Sequence, residues 1–118
     1  MNKILVVDDD LDILSLVQTI LSMNNFDVEA ISRWEEIYTK MSEFKPNLVL
    51  LDVMLGGADG REICKKLHLT KETENIPVVL FSANPDMGKY INECTAQDFV
   101  AKPFKISSLL ETINTHLN

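Results

Sequence analysis

Each of the longest apolar runs in this chain is four residues long, and each stops on a polar side chain at its carboxyl end. Ile4-Leu5-Val6-Val7 stops at Asp8-Asp9, Leu48-Val49-Leu50-Leu51 at Asp52, and Val78-Val79-Leu80-Phe81 at Ser82; the shorter Phe99-Val100-Ala101 stops at Lys102. Runs this short, unbroken and rich in branched side chains read as strands buried on both faces, with only their ends meeting solvent. They constrain the fold more than any other feature of the chain.

The segments between them carry helical periodicity. From Leu11 to about Asn24 the apolar positions Ile13, Leu14, Leu16, Val17, Ile20 and Leu21 recur at helical spacing, with Asp10 placed as N-cap. Phe26, Val28 and Ala30 alternate with Asp27 and Glu29, the period of a strand with one side less buried. Ser32 to Glu35 has the pattern of a capping box ahead of Trp34, Ile37, Tyr38 and Met41. A third helix is predicted from Asp59 to Leu69 around Ile63, Cys64 and Leu67, and a fourth from Asp86 to Thr95 around Met87, Ile91 and Cys94. Ser108 and Glu111 form a second capping-box pattern for a closing helix carrying Leu109, Leu110, Ile113 and Leu117. Gly56, Gly57 and Gly60 require a sharp bend soon after Asp52.

Five strands alternating with five helices predict an α/β fold: an open, doubly wound, five-stranded parallel sheet covered on both faces, because each parallel return needs a right-handed crossover. With 118 residues there is room for one core, so residues 1–118 are read as one domain. Eleven basic against eighteen acidic residues leave a net charge of −7, which disfavours direct nucleic-acid binding and attraction to anionic membranes. No apolar run approaches the roughly twenty residues of a membrane span, and acid at Asp8 leaves no room for a secretory signal, so a cytoplasmic location is expected. Cys64 and Cys94 lack CxxC spacing and are read as reduced, partly buried thiols. His68 and His116 are expected on the solvated surface, and Met23, Met41 and Met87 in packing roles.

In a doubly wound sheet the ligand site lies beyond the carboxyl ends of the strands. That rule brings Asp8, Asp9, Asp52, Ser82 and Lys102 to one crevice. Carboxylates there repel by on the order of 4 kcal/mol per pair at about 4 Å and an effective dielectric of about 20, so a positive charge must sit among them. Oxygen-only ligands on a partly open edge suit Mg²⁺. An Asp nucleophile, a divalent ion, an ammonium and a hydroxyl together meet the needs of phosphoryl transfer to a carboxylate.

The blocks Ile4-Leu5-Val6-Val7-Asp8-Asp9, Leu50-Leu51-Asp52-Val53-Met54, Leu80-Phe81-Ser82-Ala83 and Val100-Ala101-Lys102-Pro103-Phe104 resemble, in order and over the whole chain, the signature of the receiver domain of two-component response regulators. The resemblance implies a flavodoxin-like (βα)5 sheet of order 2-1-3-4-5. It implies that Asp52 accepts a phosphoryl group from the phosphohistidine of a sensor histidine kinase or histidine phosphotransfer protein, or from a small phosphodonor, with Mg²⁺ required. Asp9 and Asp52 would bind the metal directly, the Met54 carbonyl would add a third ligand, and Asp8 would act through water. Lys102 and Ser82 would contact the phosphoryl oxygens. Ser82 and Phe99 would form the switch that alters the surface of the fourth helix, fifth strand and fifth helix. That surface would control a downstream protein target and a phosphorylation-dependent homodimer. Met54 and Asn84 fall where the family tunes phosphoaspartate lifetime, and apolar Met54 implies slow self-hydrolysis.

The chain departs from the family in places. Gly56 stands where Pro is usual, implying a looser loop, Thr95 stands where Gly is usual, and Phe99 stands where Tyr is frequent. A haloacid-dehalogenase-type phosphatase with Asp8 as nucleophile fails on length and order, since no later acidic pair follows Lys102. A calcium loop from Asp8 fails at Ile13 and Thr19, and a flavin module would need a phosphate-cradling loop where three aspartates stand. A receiver-like docking module that is never phosphorylated is the remaining alternative. No output domain follows the last helix within these residues, so a stand-alone receiver and one cut from a longer chain are both open.

Overall fold

The computed structural model describes residues 1–83 and 95–117. The predicted fourth helix, with Met87, Ile91 and Cys94, and the lifetime position Asn84 lie outside them. The strands are β1 (Lys3–Val7), β2 (Asp27–Ile31), β3 (Leu48–Asp52), β4 (Met54–Leu55), β5 (Ala58–Asp59), β6 (Val78–Ser82) and β7 (Asp98–Ala101). The helices among the described residues are α1 (Leu11–Met23), α2 (Ile37–Phe44), α3 (Gly60–His68) and α4 (Ile106–His116).

The main sheet has the order β2-β1-β3-β6-β7, every pairing parallel. With the short β4-β5 hairpin set aside, this is the expected 2-1-3-4-5 topology. Successive residues of a strand point to opposite faces, so each four-residue run supplies both cores. Leu5, Val7, Val49 and Leu51 pack with Ile37 and Met41 of α2 and with Ile63 and Leu67 of α3. Ile4, Val6, Leu48 and Leu50 pack with Leu14, Val17 and Leu21 of α1 and with Leu109 and Ile113 of α4. β2 lies at the sheet edge, which explains its alternating sequence and partial burial.

Asp10 caps α1 as expected, its carboxylate accepting from the Asp12 and Ile13 amides at 3.0 and 3.3 Å. Neither capping box forms. Ahead of α2 the chain takes a 3-10 turn over Trp34–Glu36, with Arg33 at its start and no side-chain cap. The Glu36 amide donates to the Arg33 carbonyl, so the backbone itself occupies the turn that Ser32 was expected to cap. α4 begins at Ile106 rather than at Ser108, because the Leu109 amide already donates to the Lys105 carbonyl at 3.0 Å and places Ser108 inside the first turn.

The sharp bend expected after Asp52 is a defined turn: Gly56 and Gly57, at φ +24° and +94°, join β4 to β5 as a two-residue hairpin, the pair of left-handed residues that a type I′ turn demands. The packing role expected of Met23 is not realised. Met23 is 78% exposed, since the stripe of α1 that faces the sheet ends at Leu21.

The histidines are half-buried tethers, not solvated surface. His68 Nε2 lies 3.1 Å from the Ile76 carbonyl oxygen and Nδ1 2.7 Å from Thr95 Oγ1. Thr95 takes left-handed backbone, φ +63°, an outlier for a β-branched residue. His116 pairs with Asp98 at 2.9 Å, tying the last turn of α4 to the start of β7. Cys64, on the inward face of α3, is fully buried.

Candidate functional site

Three strand ends build the site. β1 delivers Asp8, fully buried, and Asp9, exposed; β3 ends on Asp52, 6% exposed. One carboxylate oxygen from each of Asp8, Asp9 and Asp52 lies within 4.8 Å of the other two. β7 is followed by Lys102, whose amide donates to the Ser82 carbonyl at 2.9 Å and so extends the β6–β7 register by one residue. Its ammonium then reaches across the edge to Asp8 Oδ2 at 2.8 Å and Asp52 Oδ2 at 3.4 Å, lying 4.4 Å from the centre of the Phe81 ring.

The remaining expected residues fall around this cluster. Asp8 Oδ1 accepts from the Asp10 amide at 2.9 Å, so both oxygens of Asp8 are engaged by the protein. The Met54 amide points to Asp52 Oδ1 at 3.4 Å while its side chain is 73% exposed. Ser82 is buried at the end of β6 and lines, with Met54, Gly56 and Arg61, a cleft of about 490 Å³ beside the carboxylates. Phe99, in β7, is half-buried, packs against the core shared by α2 and α3, and borders a separate surface groove with Phe104 and Lys105.

Sequence reasoning missed two residues that hold the site in shape. Gly60 opens α3 directly beneath Asp52: a Cβ there would lie 2.1 Å from the Asp52 carbonyl oxygen. Phe81 supplies the ring face below the Lys102 ammonium. The glycine cluster signalled a bend but not this close approach, and a core Phe carries no signal of its polar neighbour.

The electrostatics match the crowding. Burial first, and then the Asp8 carboxylate, push Asp52 up to about 6, against the pull of Lys102 and the Met54 amide. An unfolded Asp titrates near 3.9, so between roughly pH 4 and 6 the folded protein binds more protons than the unfolded chain. This group's contribution to stability is therefore greatest below that window and falls as pH rises through it. In chelator, Asp52→Asn should be more stable than the parent at pH 7.5 by on the order of 2 kcal/mol. The gap should close towards pH 4, and urea titrations across that range measure it.

Three converging carboxylates with an exposed member fit a hard, oxygen-seeking divalent cation of the Mg²⁺ type. No helix among the described residues is long and apolar enough to cross a membrane.

Comparison with known proteins agrees with this fold. Residues 4–114 match the response regulator receiver domain family. The chain is 32% identical over 117 residues to the phosphate regulon transcriptional regulatory protein PhoB of Rhizobium meliloti, covering 98% of this chain and 52% of that protein. It is also 32% identical over 117 residues to the DNA-binding response regulator MtrA of Mycolicibacterium paratuberculosis, covering 98% and 51%. It thus spans about half the length of these curated relatives. The BeF3-activated N-terminal receiver domain of Klebsiella pneumoniae RstA has a TM-score of 0.89 at 32% identity, covering 99% of each chain. The parallel sheet, the acidic edge and the match over residues 4–114 together make this chain a member of the response regulator receiver domain family.

Proposed function

We propose that Asp52 is the phosphoryl acceptor of a two-component signalling pathway, phosphorylated by a sensor histidine kinase, a histidine phosphotransfer protein or a small phosphodonor. The observation that carries this reading is the convergence of Asp8, Asp9 and Asp52 within 4.8 Å with the Lys102 ammonium 3.4 Å from Asp52. An Asp52 oxygen attacks phosphorus, forming a P–O bond as the bond to the donor nitrogen or oxygen breaks, and the donor leaves with the electron pair. Bound Mg²⁺ supplies positive charge that offsets the oxygens in transfer.

Asp9 and Asp52 would hold the metal directly, with the Met54 carbonyl as a third ligand. Asp8, whose oxygens are already committed to Lys102 and the Asp10 amide, acts indirectly. Lys102 and Ser82 receive the phosphoryl oxygens. Ser82 and Phe99 then form the switch for the face of β7 and α4, which binds a downstream protein or a second receiver. The net charge of −7 favours a protein partner over nucleic acid for this part of the molecule.

Intact-mass measurement after incubation with Mg²⁺ and acetyl phosphate tests the reading. One phosphoryl group should appear on the parent and none on Asp52→Ala. An unmodified parent, or a modified alanine variant, would return the chain to the docking-module alternative. Followed over time, the same spectra report lifetime. The exposed thioether of Met54 offers nothing to orient an attacking water, so Met54→Asn should shorten it.

A further inference from the structure

The β4–β5 hairpin places a glycine against one of the three carboxylates. A Cβ built at Gly56 would stand 3.3 Å from Asp9 Oδ2, whereas one at Gly57 meets nothing within 4 Å. Both glycines have positive φ, so both positions disfavour side chains for the same backbone reason, but only Gly56 faces the acidic cluster.

We propose that Gly56 is a positioning residue for the divalent cation, the missing side chain leaving Asp9 the space to hold its carboxylate in the convergent arrangement. The inference rests on the metal reading above and deepens it. Asp9 is the exposed member of the cluster, so its carboxylate has solvent to turn into while no cation holds it. A Cβ at position 56 therefore costs little in the metal-free protein. Once Asp9 is fixed as a ligand it cannot yield, and the crowding falls wholly on the bound state. The cost appears as weakened cation affinity with unchanged metal-free stability. The hairpin and the space go together: the positive φ that closes the turn at position 56 also favours the residue that has no Cβ.

Asparagine distinguishes the two glycines without breaking the turn, because it tolerates left-handed backbone and Asn-Gly is a preferred pair in two-residue hairpins. Mg²⁺ titration calorimetry on the full chain would compare the parent, Gly56→Asn and Gly57→Asn, with metal-free melting curves for each. The expected result is near-parental affinity for Gly57→Asn and about tenfold weaker affinity for Gly56→Asn, the low end for disturbing groups that orient a metal ligand. Metal-free melting temperatures of the two variants should agree. Equal affinities overturn the inference, as does weakened binding by Gly56→Asn accompanied by a melting temperature well below that of Gly57→Asn, which would indicate a damaged hairpin. A parent that shows neither heat nor a melting shift with Mg²⁺ removes the metal reading itself, a failure separate from equal binding by the two variants.

Discussion

Lys102→Ala is expected to destabilise the metal-free protein by about 3–5 kcal/mol at neutral pH, the usual consequence of stripping one partner from a buried ion pair. The Lys102 side chain is 15% exposed, and its ammonium sits 2.8 Å from a carboxylate with no solvent exposure. Its loss leaves Asp8 and Asp52 facing each other, with the Asp10 and Met54 amides as the remaining donors shown to them among the described residues. The deficit should shrink on acidification, because Asp52, already pushed up to about 6, is neutralised first. It should shrink also on adding Mg²⁺, which replaces the lost charge. Urea midpoints at pH 7.5 and 5, with and without Mg²⁺, check the pattern. A deficit independent of both conditions would mean that Lys102 stabilises through the packing of its methylenes against Phe81 and not through charge.

Gly60→Ala should be destabilising by about 3 kcal/mol or more, although the same change in an ordinary helix gains roughly 1 kcal/mol. The reversal comes from contact. The new methyl would lie 2.1 Å from the Asp52 carbonyl oxygen and 3.0 Å from the Val53 Cα, both backbone atoms with no rotamer to escape into. Gly60 also donates its amide to the Val53 carbonyl at 2.7 Å, so α3 cannot back away without breaking that bond. Because the strained atoms belong to Asp52, divalent-cation affinity should fall together with the urea midpoint. A neutral or stabilising result would show that the turn after β3 has slack.

The fold was legible because strand and helix periods differ so sharply here. Unbroken apolar runs ending at Asp8, Asp52, Ser82 and Lys102 announce buried parallel strands, and the topology rule then places all those ends on one edge. Helix starts were less legible. The Ser32 and Ser108 patterns meet the capping-box rule, yet buried Ile37 and Leu109 set registers in which the helices begin elsewhere. His68 and His116 looked like surface residues because their partners, Thr95, Ile76 and Asp98, come from other segments. Three glycines in five residues signalled a sharp bend after Asp52 but not its form: two of them close a hairpin and the third admits a backbone.

What the amino-acid order determined by itself is the set of chemical groups at the carboxyl edge, since an unbroken apolar run and an abrupt polar stop are local properties. The tertiary structure decided their distances. Lys102 and Asp8 are 94 residues apart in the chain and 2.8 Å apart in space. Charge interactions scale with that separation and with the surrounding dielectric, neither of which is a local property. The raised pKa of Asp52, the gap beneath it that only Gly60 can fill, and the space that Gly56 leaves beside Asp9 all follow from close approach between segments.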